Sequence, residues 1–206
     1  MHSLARVAAE CAALVVIDVQ NDFCDPAGRQ ARQGNDLSAM PGVIARLLPF
    51  IDRAREAGVP VVFVRTAHDP TNDSPEWLGR HDDPDRVQSC RTGEWGAEFH
   101  AVAPLPGEPV VLKHRYNAFT GTPLDLVLHG LGRRSLLFCG TTTNTCVETT
   151  LRDAVCRDFL VTLVEDCCGA YTADAQSRAI GSIREGFGLV TDSRSIIRAW
   201  NGPPVT

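Results

Sequence analysis

Residues 134–166 read RSLLFCGTTTNTCVETTLRDAVCRDFLVTLVED. The run from Ser135 to Cys139 has the length and apolar content of a buried strand. Val147, Leu151, Ala154 and Val155 then recur at helical spacing, and Phe159 to Val164 is apolar again. A strand, a helix and a second strand in this order predict a parallel βαβ unit. The Gly-Thr-rich turn after the first strand, where Gly140 supplies backbone room, delivers Cys146 to the start of the helix. Backbone N–H groups and the positive dipole end at a helix N-terminus favour thiolate over thiol. The same N–H groups can hold an oxyanion. Most free cysteines, however, are small buried hydrophobes, so Cys146 counts as a nucleophile only if partners reach it.

The alternation continues outward in both directions. Cys11 to Val19 is a near-continuous apolar run. Ile44, Leu47, Leu48, Ile51 and Ala54 repeat at helical spacing between Pro41 and Gly58, and Pro60 to Val64 is a further strand. Pro109 to Leu112 is a short strand ending at Lys113, and Pro123 to His129 is a short helix closed by Gly130. Downstream, Ala179, Ile180, Ile183 and Phe187 mark a helix, Gly188 to Thr191 a last strand, and Ser195 to Trp200 a C-terminal helix. Apolar strands alternating with helices predict an α/β fold with a parallel sheet covered on both faces. Residues 67–108 are rich in Pro, Gly, Asp and Trp and show no periodicity. No linker or repeat divides the chain, so residues 1–206 read as a single domain.

Composition narrows the function classes. The 206 residues are 44% hydrophobic and carry a formal charge of −5 without any Lys/Arg run, which argues against a nucleic-acid partner. No apolar stretch approaches the length of a membrane span. Residues 11–17 lack a preceding basic segment and read as core rather than as a signal peptide. Eight cysteines occur without a C-x-x-C pair, and Cys11, Cys139 and Cys156 lie in apolar, core-like settings. The expectation is a reduced, cytoplasmic protein without a zinc ribbon or dithiol motif.

Three polar residues fall at or just beyond the carboxyl ends of predicted strands: Asp18, Lys113 and Cys146. A parallel sheet gathers such ends along one edge, where ligands bind. Singly, Asp18 reads as a turn cap and Lys113 as a snorkelling surface residue. Together the three form a chemical set: a carboxylate to take the thiol proton, an ammonium to balance the charges, and a sulfur to attack a carbonyl.

Three stretches, LVVIDVQNDFC at the first strand, LKHRYNAFTGTPLD around Lys113 and CGTTTNTCVETTLRDA around Cys146, together resemble the isochorismatase-like cysteine hydrolase superfamily over nearly the whole chain. The resemblance implies a three-layer α/β/α fold with a six-stranded parallel sheet and an Asp18-Lys113-Cys146 triad. It implies a cis peptide at Thr141-Thr142 and an oxyanion site made by the N–H groups of Thr142 and Cys146. The 33-residue interval from Lys113 to Cys146 resembles the branch of N-carbamoylsarcosine amidase, biuret hydrolase and ureidoacrylate amidohydrolase. The expected activity is therefore cleavage of a C–N bond in a small linear amide, carbamoyl or ureido compound through a thioester, with release of ammonia.

Alternatives remain. A nicotinamidase-like amidase of a ring carboxamide is one, but the family's Asp-x-His-x-x-His metal motif is replaced here by RTAHDPTNDSPEW, so neither a metal nor another cofactor is expected. Isochorismatase-type vinyl-ether hydrolysis is disfavoured because aryl isochorismatases lack this cysteine. A silent oligomeric scaffold is disfavoured by the intact triad. The resemblance also implies a homo-oligomer, a dimer or tetramer. Phe23, Trp77, Trp95, Tyr116 and Phe119 are candidate pocket aromatics. Arg115 is read as a substrate-carboxylate ligand or, with slight preference, as a structural ion pair. Asn144 reads as a brace or contact in the turn, and His114 points to the opposite face of its strand.

Overall fold

The computed structural model describes residues 6–82 and 88–202. Six strands, β1 (Ala12–Ile17), β2 (Val61–Thr66), β3 (Val110–Lys113), β4 (Ser135–Thr141), β5 (Leu160–Gly169) and β6 (Leu189–Thr191), form one sheet in the order β3-β2-β1-β4-β5-β6. Every pairing is parallel. The main helices are α1 (Met40–Glu56), α2 (Leu124–Gly130), α3 (Glu148–Cys156), α4 (Ala173–Gly186) and α5 (Ser193–Trp200). The α/β class and the parallel sheet expected from the sequence are what the chain forms.

All residues of β1 and β4 are buried, so helices cover both faces of the sheet centre, which explains their continuous apolar runs. α1 turns Val43, Leu47, Phe50 and Ala54 inward, and Phe50 stacks on Trp200 of α5 at 5.4 Å between ring centroids. The apolar flanks of Cys11 and Cys156 misled the sequence reading. Both are exposed, because one precedes the first strand and the other closes the exposed end of α3.

Strand order reverses between β1 and β4, and this switch point is where an open α/β sheet leaves a crevice beyond the strand ends. Two local features shape it. Gly140 pairs with Ile17 in register at φ +116°, and a Cβ there would lie 2.0 Å from the Ile17 carbonyl oxygen. Only glycine permits that approach. The register of β4 against β5 also shifts between Phe138 and Gly140, a bulge that redirects the end of β4. Among the described residues no helix is long and apolar enough to cross a membrane.

Candidate active site

Asp18 follows β1 with φ 51°, a left-handed conformation that Asp tolerates better than most residues. Its backbone is pinned on three sides. Its N–H donates to Val64 O at 2.9 Å, and its carbonyl accepts from Gln20 N at 2.9 Å and Thr141 Oγ1 at 2.7 Å. The side chain is thereby turned into the crevice, fully buried. Lys113 ends the edge strand β3, and β2 lies between it and β1. The ammonium reaches across the end of β2 and comes within 2.7 Å of Asp18 Oδ2. Its aligned hydrogen bonds run to Thr66 Oγ1 at 2.7 Å, Arg115 O at 3.1 Å and Cys146 Sγ at 3.5 Å. The Thr66 hydroxyl bonds Asp18 Oδ1 at 3.0 Å. The acid, amine and sulfur read from three distant stretches thus meet at one point.

The Thr141-Thr142 peptide is cis. The chain then makes a π-helical turn, Thr143–Val147, before α3 begins at Glu148. Cys146 lies within this wide turn rather than at the first turn of a regular helix. Thr150 Oγ1 donates to its carbonyl at 2.7 Å and accepts from Ala118 N at 3.0 Å, tying the nucleophile turn to the loop after β3.

The dipole's preference for thiolate is outweighed by this environment. Burial, only partly offset by the neighbouring Lys113 ammonium and reinforced by the Asp18 carboxylate, pushes the Cys146 thiol up to about 12. At neutral pH the sulfur rests as a thiol, because desolvation and a nearby anion both penalise a second negative charge. Burial also pushes Lys113 down, but Asp18 and Cys146 outweigh it and hold the ammonium above the ordinary lysine range. The resting site is carboxylate, ammonium and thiol, and any attack by sulfur requires proton transfer to a base.

A cavity of about 470 Å³ opens over Cys146. Phe23, Trp77, Arg115, Tyr116, Thr142 and Asn144 line it. Two expected aromatics do not. Trp95 is half exposed, in a short 3₁₀ turn whose carbonyl accepts from Asn21. Phe119 turns into the core and faces Phe159 at 6.4 Å. Arg115 makes no ion pair among the described residues; it donates to Asn72 O at 3.1 Å and lies 4.7 Å from the Trp77 ring. His114 bonds Ala67 O at 2.6 Å and stays off the cavity.

The structure adds residues that the sequence reading missed. Arg80 stacks on Trp77 at 3.4 Å and donates Nε to Tyr116 Oη at 3.0 Å, again with no ion pair among the described residues. Thr66, His68 and Tyr171 also line the wall. Among the described residues no three His, Cys, Asp or Glu side chains gather as a metal-ligand set.

His68 provides a pH-dependent stability term. Burial, opposed by nearby Asp73, lowers its imidazole from 6.5 to about 4. Between these values the unfolded chain binds a proton that the folded chain does not, so stability is lost as pH falls through that window. At 1.36 kcal/mol per unit, the loss by pH 4.5 is about 2–3 kcal/mol. His68→Gln is expected to reduce the drop in urea midpoint between pH 7 and 4.5; an unchanged drop would assign that acid sensitivity elsewhere.

Comparison with known proteins identifies the family of the fold. The isochorismatase domain profile matches residues 12–195. The chain belongs to the isochorismatase family. Among its relatives in that family, the ureidoacrylate amidohydrolase RutB of Methylobacterium radiotolerans is 35% identical over 87% of this chain and 75% of its own. RutB of Azorhizobium caulinodans is 32% identical over 94% and 92%. A cysteine hydrolase from Pseudomonas syringae pv. phaseolicola superposes with a TM-score of 0.83 at 27% identity, covering 94% and 93% of the two chains. N-carbamoylsarcosine amidase from Thermoplasma acidophilum does so with a TM-score of 0.70 at 29% identity, covering 88% and 96%.

Proposed function

We propose that this isochorismatase-family protein is a cysteine amidohydrolase of small linear carbamoyl or ureido compounds, with Asp18, Lys113 and Cys146 as its catalytic residues. The observation that carries the reading is the contact of acid, amine and sulfur at the base of one cavity. Asp18 takes the Cys146 proton as sulfur attacks the carbonyl carbon, and the ammonium of Lys113 balances the charge. The N–H groups of Thr142 and Cys146 receive the oxyanion. The C–N bond breaks, the proton on Asp18 passes to the departing nitrogen, and ammonia leaves behind an S-acyl adduct, a thiocarbamate when the substrate is a carbamoyl or ureido compound. Water then adds to the carbonyl of that adduct, the C–S bond breaks, and the sulfur regains its proton.

The far wall supports an acidic substrate. Arg80 and Arg115 both pack on Trp77 and lack a carboxylate partner among the described residues, so a substrate carboxylate would supply one. The names of the ureidoacrylate and carbamoylsarcosine relatives point the same way. A cytoplasmic homo-oligomer belongs to the same reading. Its support is eight free cysteines and the exposed Val110 and Leu112 on edge strand β3.

Ammonia release measured over ureido acids, neutral ureas, simple amides and nicotinamide tests the assignment. The expected outcome is the highest kcat/KM with a linear ureido or carbamoyl acid. Arg80→Gln is expected to raise KM for that acid roughly 10- to 100-fold, with little change for its neutral amide analogue. Preference for nicotinamide, or no ammonia from any carbamoyl compound, would overturn the reading.

A further inference from the structure

We infer that Thr66 is a positioning residue that selects which oxygen of Asp18 acts as the base, holding Oδ1 and drawing one proton of Lys113 away from Oδ2. The inference rests on the proposed amidohydrolase chemistry but comes from a separate observation, the hydrogen-bond count around the ammonium.

An ammonium has three protons and accepts nothing. Lys113 has three aligned acceptors: Thr66 Oγ1, Arg115 O and Cys146 Sγ. Asp18 Oδ2 is also near, 2.7 Å from Nζ, yet it has no aligned donor. Oδ2 therefore meets the ammonium as a close ion-pair contact, while Oδ1 is held by the Thr66 hydroxyl.

Thr66 fixes the other oxygen. Its single hydroxyl proton cannot point to Lys113, which can only donate, so it points to Asp18 Oδ1 at 3.0 Å. A proton arriving on Oδ1 would leave the buried Thr66 hydroxyl proton without that acceptor. A proton arriving on Oδ2 breaks no aligned bond. The thiol proton of Cys146 is thereby directed to Oδ2.

Topology explains why β2 supplies this group. β2 runs between β1 and β3, and Thr66 pairs in register with Lys113, so the last side chain of β2 stands between acid and amine. Gln20, fully buried, holds that strand end. Its Oε1 accepts from Thr66 N at 2.8 Å, and its Nε2 donates to Thr66 O at 2.8 Å and Ala97 O at 2.7 Å. The hydroxyl is therefore held to within a narrow range of positions by a side chain that never touches the cavity sulfur.

Thr66→Val keeps the shape and removes the hydroxyl; Thr66→Ser keeps the hydroxyl. In Thr66→Val the released Lys113 proton turns to Oδ2 and engages the base. The expected result is a fall in kcat of roughly 10- to 100-fold with KM within about two-fold. Alkylation at the Cys146 peptide by iodoacetamide, followed by mass spectrometry, should slow by about ten-fold. Thr66→Ser should restore both rates to within about three-fold of the parent. If Thr66→Val does not fold, Thr66→Ala carries the same two readouts. Unchanged kcat and alkylation in the hydroxyl-free variant, or failure of Thr66→Ser to restore them, overturns the inference. The alkylation rate needs no substrate, so an error in the assigned reaction shows separately, as absence of ammonia release by the parent protein.

Discussion

Cys146→Ala is expected to lower ammonia release from the best ureido or carbamoyl substrate by a factor on the order of 10⁴ or more, with the melting temperature close to that of the parent. The side chain is small and borders the cavity, so truncating it removes few packing contacts while deleting the sulfur that the Lys113 ammonium contacts. Other enzymic contributions do not replace it, because oxyanion donors and a positioned acid have nothing to stabilise when no tetrahedral adduct forms. Cys146→Ser should fail almost as badly. A serine hydroxyl is a poorer nucleophile than a thiol, and this site is built around a resting thiol pushed up to about 12, with one carboxylate to deprotonate it. Steady-state ammonia assays beside thermal melts of the two variants make the check. Near-parental turnover by purified Cys146→Ala would remove sulfur from the mechanism.

That this residue was legible at all comes from the parallel sheet. Period and length of the apolar runs locate the strands, and residues at their carboxyl ends must share an edge. Asp18, Lys113 and Cys146 follow from that geometry without any knowledge of loops. Thr66 ends a strand as well, but a threonine after PVVFVR carries no charge and reads as ordinary strand composition. Its importance appears only when the order β3-β2-β1 puts it between two charges.

The misreadings lie where periodicity stops. Trp95 and Phe119 sit in irregular segments, and nothing in the local sequence says whether an aromatic there faces a cavity, solvent or the core. Arg80 lies in the unreadable stretch after β2, and its role depends on stacking with Trp77, three residues earlier in a one-turn helix. The helix N-terminus alone does not decide the state of the thiol. Helix dipoles act locally, whereas the burial and the carboxylate that raise the Cys146 thiol come from distant parts of the chain.

Lys113→Met is expected to destabilise the fold by about 3–5 kcal/mol, the usual cost of removing one partner from a buried ion pair. Lys113 is 1% exposed and Asp18 is fully buried. Without the ammonium, the carboxylate keeps its Thr66 bond but loses its countercharge, in a setting that cannot solvate it. Asp18→Asn should be milder, since it leaves an ammonium that still bonds Thr66, Arg115 O and Cys146. The double variant Asp18→Asn/Lys113→Met removes both charges and should recover stability relative to Lys113→Met, because an uncharged pair pays no desolvation cost. All three should be inactive. Urea unfolding at neutral pH, with the midpoint and slope fitted separately, distinguishes the variants. If Lys113→Met unfolds at the parental midpoint, the buried charges do not depend on each other for stability. If instead the double variant is more stable than the parent and still releases no ammonia, the fold holds this ion pair for proton transfer rather than for stability. A methionine and an asparagine would then be the better structural choice, and the proposed reaction alone would require the acid and the amine beside the sulfur.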